Sequence, residues 1–230
     1  MRHLVFPLIT SLTVLVDSPT NAQAHPEIST AITNVKHSGP EILKEALKIE
    51  AKSNDRKLSM PLRDEYSHSY HIEIKRAFEC LVVGAKDGDL QSMFFLGAYC
   101  RTFNKEGLAS VRECLPWLEA AAIKGHPEAP YDYAEELLDL DTPAEKAKGF
   151  EWLKRATETG DLRLRGWAAA GLATRYTFGD PVLQLRRDPK AAWNWIRKGA
   201  KESGCSVDDL MIQRGLRNPD NVQKGEIQFK

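Results

Sequence analysis

A glycine that ends a helical segment returns four times in this chain, and this repetition constrains the fold more than any other feature. In the copy FEWLKRATETGD, apolar residues at helical spacing precede Gly160, and Asp161 follows it as a cap for the next helix. Glycine takes the left-handed conformation after a last helical turn without a Cβ clash. The equivalent glycines are Gly88, Gly125 and Gly204, so the four lie 37, 35 and 44 residues apart. A two-helix unit of this length indicates a stack of helical repeats.

Two further positions recur relative to each glycine. Four positions before it stands a small residue, and eight positions before it stands a bulkier one. The small residues are Gly84, Ala121, Ala156 and Ala200, and the bulkier ones are Cys80, Trp117, Trp152 and Ile196, with Trp195 beside the last. Small residues let helices approach closely, and bulky residues fill the space between layers. We therefore predict that Trp117 and Trp152 belong to the core rather than to a ligand-stacking surface.

A second recurring pattern lies between the glycines, in the segments MFFLGAYC, YDYAEELL and WAAAGLATRYTFGD, and the segment DPKAAWNWIRKGA leads into the last copy. The residues that carry the pattern are Leu96-Gly97-Ala98-Tyr99, then Tyr176 and Gly179, then Asp188, Lys190, Ala191 and Trp195. Together the two patterns resemble the Sel1-like repeat family, a relative of the tetratricopeptide repeats, over about residues 75–204. The chain departs from the family at Tyr133-Ala134, where the family has Leu-Gly, and in the third unit, which has lost register. The resemblance implies an all-α fold, an α/α solenoid of Sel1-like helix-turn-helix repeats.

The first segment, residues 1–24, is predicted to be a signal peptide. Arg2 precedes the apolar run Leu4–Val16, and Ala22-Gln23-Ala24 forms a small-x-small cleavage site. The run is short for a bilayer span and is interrupted by proline and threonine. We expect a periplasmic protein without a membrane span after cleavage, and the alternative is an uncleaved N-terminal anchor.

Three segments follow the signal peptide. Residues 25–74 are predicted to be a lead-in with one helix, Pro40–Ser53, and a charged, irregular stretch at 54–70. Residues 75–204 hold the repeats. Residues 205–230 are predicted to form a closing helix, which starts with a serine cap, and a polar tail.

Charge and motifs argue against several classes of function. The chain carries 32 basic and 32 acidic residues, and a neutral protein lacks the basic surplus that non-specific nucleic-acid binding requires. The motifs GxSxG, HExxH and GxGxxG and a phosphate loop are all missing from the sequence. We predict no catalytic residue and no cofactor, and an enzyme is the third class of function after two binding roles.

Acidic and histidine-containing stretches are interpreted as ordinary surface. His68, His71 and Glu73 match no established zinc spacing, so no metal site is predicted. A second stretch holds Glu135, Glu136, Asp139 and Asp141, and its first three members share a polar helix face. We interpret that face as solvated rather than as an acid/base pair.

Four cysteines in an exported chain make disulfides plausible, and they allow three full pairings. Cys100 lies near the end of one predicted helix and Cys114 near the start of its partner, at a shared level. Cys80 belongs to the preceding helix and Cys205 lies at the last glycine. Our hypothesis is a Cys100–Cys114 bridge.

The third unit offers the best candidates for partner binding. Its first helix carries Arg163, Arg165 and Trp167, and its long loop holds Arg186 and Arg187. Arginine and tryptophan are enriched among interface hot spots, and extra length in a repeat loop often falls on a binding face. The alternative is that these arginines pair with the acidic stretch at 135–141.

The resemblance to Sel1-like proteins implies a non-catalytic, protein-binding repeat protein whose partner lies in the cell envelope. Periplasmic members of this size resemble immunity proteins that neutralise phospholipase effectors of type VI secretion. The alternative role is an adaptor scaffold for envelope or polysaccharide assembly.

Overall fold

The computed structural model describes residues 38–213, and this part of the chain is all-α. No β-strand occurs among the described residues, and none of their helices has the length and apolar character needed to cross a bilayer. The helices are α1 (Gly39–Ser53), α2 (Met60–Lys86), α3 (Leu90–Ala98), α4 (Cys100–Lys105), α5 (Val111–Ile123), α6 (Ala129–Leu138), α7 (Pro143–Ala156), α8 (Leu162–Phe178), α9 (Pro189–Ser203) and α10 (Val207–Gln213). The predicted signal peptide, the start of the lead-in and the polar tail lie outside the described residues.

The helices pack in successive pairs. The pairs are α1 with α2, α3 with α5, α6 with α7, and α8 with α9. Each pair then contacts the next, through α2 with α3, α5 with α6, and α7 with α8. Ion pairs between Arg112 and Glu145 (2.6 Å) and between Lys148 and Glu119 (2.8 Å) also join α5 to α7. One cluster of buried apolar residues extends from α1 to α8, and a second lies among α8, α9 and α10.

The recurring glycines form the turns that the sequence predicts. Gly88, Gly125, Gly160 and Gly204 have φ angles of 91, 87, 85 and 70°. After α5 the amide of His126 donates to the carbonyl of Ala121 (2.9 Å), which is the bond that closes a helix around a left-handed residue. The amide of Asp89 likewise donates to the carbonyl of Gly84 (2.9 Å), so in these two turns the small residue four positions before the glycine is the acceptor of the closing bond.

Close contact between paired helices depends on small residues inside them. A Cβ on Gly97 of α3 would overlap the Cβ of Leu118 on α5. Trp152 is 9% exposed and meets the ring of Tyr133 edge-on at 5.5 Å, which confirms its place in the core. Trp117 packs against the same core but stays half-buried.

The sequence interpretation of residues 54–70 as irregular was wrong for its second half. Helix α2 begins at Met60 and runs through the predicted boundary between the lead-in and the repeats at residue 74. Tyr66 and Tyr70 are 7 and 4% exposed, and they continue an apolar stripe that includes Ile74. This stripe packs on α1, so the lead-in helix is half of the first helix pair.

Capping residues define the first and last described helices. At α1, Ser38 and Glu41 form a capping box, in which the Ser38 amide donates to the Glu41 carboxylate (2.9 Å). At α10, the amide of Asp209 donates to the Ser206 hydroxyl (3.0 Å). The closing helix is therefore present where its serine cap predicts it.

Candidate functional site

Two of the glycine turns touch each other. The amide of Asp161, in the turn between α7 and α8, donates to the carbonyl of Pro127, in the turn between α5 and α6 (3.3 Å). A Cβ on Gly160 would overlap the same carbonyl oxygen. Glycine is therefore required here both for its positive φ and for the contact between turns.

A cavity of about 350 Å³ opens between these two turns, and we call it the turn groove. Its apolar wall includes Ile123, Pro130 and Trp152, and its polar wall includes His126 and Arg155. Ile123 is 69% exposed, although it ends a helix whose other face is buried. A large exposed side chain beside a cavity marks a surface that a partner can cover.

His126 forms the floor of the turn groove as a neutral imidazole. It is 5% exposed, and its ring stacks on Phe94 with 3.9 Å between centroids. Its Nδ1 accepts from the amide of Glu128 (3.3 Å), so the neutral ring carries its proton on Nε2. Burial lowers the pKa of His126 below its usual value, and this ring supplies shape rather than charge.

Two arginines lie over tryptophan rings at this edge of the molecule. The guanidinium carbon of Arg155 is 4.9 Å from the centroid of Trp152, and that of Arg163 is 4.9 Å from the centroid of Trp167. The second stack joins the turn groove through Tyr131, which follows Pro130 and lies 6.1 Å from Trp167 between ring centroids. Stacking restricts a guanidinium and leaves its in-plane N–H donors available.

The five residues predicted to bind a partner do not form one site. Arg163, Arg165 and Trp167 lie at the start of α8, where the Arg165 side chain donates to the carbonyl of Gly160 in the turn groove (3.2 Å). Arg186 and Arg187 are exposed in the loop after α8. The loop returns to the helix at Tyr176, whose carbonyl accepts from the amide of Asp188 (2.7 Å). About nine residues of helix, roughly 14 Å at a rise of 1.5 Å per residue, therefore separate Trp167 from the level of that loop. The first group therefore belongs to the turn-groove surface and the second lies at the opposite end of the helix.

In the acidic stretch, Glu136 and Asp139 pair with Arg101 and not with the arginines of the third unit. Arg101 of α4 donates to Glu136 (3.0 Å) and to Asp139 (2.8 Å). Asp132, one turn earlier on α6, is partly buried, and burial together with Glu128, Glu136 and Glu135 raises its pKa to about 7. Arg101 therefore pairs with two carboxylates near the C-terminal end of α6, a helix rich in acidic side chains.

The two cysteines of the proposed bridge are neighbours. Cys100 and Cys114 are 1 and 2% exposed, and their thiols share a hydrogen bond that, with burial, raises the pKa of Cys100. Both are free thiols in the structure. The required proximity is present, and the bridge itself stays a prediction.

Of the two histidines in α2, His71 makes a contact with another segment. His71 lies 2.6 Å from a Glu106 carboxylate oxygen, which links α2 to the segment after α4. Between residues 38 and 213, no group of three or more His, Cys, Asp or Glu side chains could hold a metal ion.

Sequence reasoning missed Ile123, His126 and Arg155, and only one of them had a usable signal. Arg155 follows Trp152 by three residues, a spacing that puts both on one helix face, as it does for Arg163 and Trp167 at four. The turn groove itself joins turns that are 35 residues apart, and no local pattern predicts that contact.

Comparison with known proteins finds no match to this chain. No family model, no curated protein and no solved structure matches this chain. The Sel1-like assignment therefore rests on the residues quoted above and stays a prediction.

Proposed function

We propose that this chain is a non-catalytic protein-binding repeat protein, an α/α solenoid of Sel1-like units that binds its partner at the turn-groove surface. The successive helix pairs support the solenoid, since each pair contacts the next and three intervals of similar length separate the four glycine turns. The same arrangement supports a binding role, because stacked pairs expose much surface for their length.

The turn groove is the observation that carries this proposal. Its cavity of about 350 Å³ is lined by Ile123, which is 69% exposed, and by Arg155, which lies over Trp152. The start of α8, directly after Gly160, adds Leu162, which is 55% exposed, and Arg163 over Trp167. Arginine and tryptophan are the residue types most enriched in interface hot spots. Restricted side chains lose little entropy on binding, so this surface suits a protein partner.

The cellular setting of the proposal is the periplasm, and its support is the predicted signal peptide of residues 1–24. The specific role that we propose is immunity against a phospholipase effector of type VI secretion, and its support is the resemblance to Sel1-like repeats. The adaptor for envelope or polysaccharide assembly is the alternative.

Site-specific photo-crosslinking in living cells tests the binding role. A photoreactive residue at Ile123 or Leu162 should trap one discrete protein, while the same residue at Met60, which is 70% exposed at the start of α2, should trap none. Equal crosslinking from all three positions, or none from any, would refute a partner at the turn groove.

A protection assay tests the specific role. Cells that lack this protein should lyse when attacked by sister cells that carry the effector, and the wild-type chain should restore survival. Full survival without the chain would exclude immunity and favour the adaptor, whose loss should instead change envelope or polysaccharide composition.

A further inference from the structure

We propose that the turn groove recognises an acidic segment of its protein partner, with the carboxylates on Arg155 and Arg163 and an apolar side chain against Ile123, Pro130 and Trp152. This inference rests on the proposed function and names the chemistry of the partner.

The two stacked arginines supply the charge. Both are exposed, and among the described residues neither takes part in an ion pair within 4.0 Å. Each guanidinium carbon instead lies 4.9 Å from the centroid of a tryptophan ring. A carboxylate accepts two guanidinium donors at once, so each of these exposed arginines suits a carboxylate.

The acidic groups around the turn groove leave those arginines available. Asp161 caps α8 by accepting from the amides of Arg163 (2.9 Å) and Leu164 (3.3 Å). Glu158 is 73% exposed and lies 3.7 Å from Lys198 of α9. Glu128 stands at the N-terminal end of α6. Between residues 38 and 213, none of these three carboxylates forms an ion pair within 4.0 Å with Arg155 or Arg163.

The apolar wall sets the second requirement. Ile123 lines the cavity and exposes 69% of its surface, Leu162 at the start of α8 exposes 55%, and His126 lines the same cavity. Burial of such apolar side chains against a partner favours binding. A leucine or phenylalanine next to an acidic residue satisfies both requirements, whereas a purely charged segment leaves the wall uncovered.

Selection from a displayed library of random twelve-residue peptides on the full chain tests the inference. We expect the selected peptides to be enriched in Asp or Glu beside a large apolar residue. A fluorescent synthetic copy of the best peptide should bind at least tenfold more weakly to Arg155→Gln and to Arg163→Gln, a loss of about 1.4 kcal/mol each. Arg187→Gln is the matched control, since it removes an exposed arginine at the other end of α8, and its affinity should stay within about twofold.

Charge exchange separates recognition from a structural effect. Arg155→Glu should lose the acidic peptide and gain a version in which lysine replaces its acidic residues, while the unfolding temperature stays unchanged. A library without acidic enrichment, no peptide binder, or equal affinity of the arginine variants would overturn the inference. A single-stranded DNA twelve-mer that binds as tightly and with the same dependence on Arg155 would also overturn it, because the surface would then recognise anions in general.

The crosslinking at Ile123 separates this inference from the proposed function. A trapped partner whose contact segment lacks acidic residues would overturn the acidic specificity and leave the binding role intact. The absence of any trapped partner would contradict the binding role itself.

Discussion

Replacement of Asp132 by asparagine should stabilise the protein above neutral pH. In the folded chain the pKa of Asp132 is raised from 3.8 to about 7 by burial and by Glu128, Glu136 and Glu135, in that order. The folded state therefore holds a proton between those values that the unfolded state has lost, and stability falls as pH rises from about 4 through 7. Above pH 7 the aspartate is charged in both states, and the full cost of its ionised form is present.

The size of this effect follows from the pKa of Asp132. Moving that pKa from 3.8 to about 7 corresponds to about 4 kcal/mol. Asp132 keeps some solvent contact, and salt screens the neighbouring carboxylates, so we expect a gain of about 2 kcal/mol for Asp132→Asn at pH 8. At pH 4 the gain should vanish, because the carboxyl group is then neutral in the folded wild type.

Urea unfolding of both proteins at pH 4, 6 and 8 measures the gain. Asp139→Asn is the matched control, since it makes the same change on the same helix at an exposed carboxylate paired with Arg101, and it should lose about 0–1 kcal/mol. An Asp132→Asn gain that is independent of pH would refute the raised pKa as its cause.

Three further predictions concern the core, the cysteines and the buried histidine. Trp152→Ala should destabilise the protein by about 3–5 kcal/mol in urea unfolding, and unchanged stability with lost binding would make the tryptophan a contact residue. Under oxidising conditions, mass mapping of non-reduced peptides should find Cys100 joined to Cys114, with about 3 kcal/mol more stability than the reduced form; free thiols at both positions would contradict this. The contribution of His126 to stability should fall as pH decreases below about 6.5, because the lowered pKa of His126 keeps the folded ring neutral while the unfolded ring takes up a proton. The loss of stability at low pH should therefore be smaller in His126→Gln than in the wild type. A pH profile that His126→Gln leaves unaltered would contradict it.

The parts of the fold that sequence reasoning predicted are those with local causes. A left-handed residue after a helix needs glycine, so Gly88 and Gly125 locate their turns without knowledge of the rest of the fold. A serine cap likewise locates α10 at Ser206. The start of α2 was missed because charged residues surround its apolar positions in the sequence. Tyr66 and Tyr70 are nevertheless buried there.

The candidate site was predicted only in part for the same physical reason. Arg163 and Trp167 are four residues apart on one helix, so their shared face follows from helical geometry. Arg186 and Arg187 were grouped with them by residue type, and the length of α8 separates them. The groove beside Arg155 depends on a contact between two turns, which arises only when the helix pairs pack against each other.

The hydrogen bond from Asp161 to Pro127 has a mechanical consequence for the molecule. A change in the twist between the helix pairs α6–α7 and α3–α5 would stretch this bond. Because Gly160 has no Cβ, the two backbones are in direct contact there. The bond therefore resists a change of twist at this joint. Because Asp161 and Pro127 lie in the two turns beside the cavity, the same bond also limits changes in the width of the turn groove.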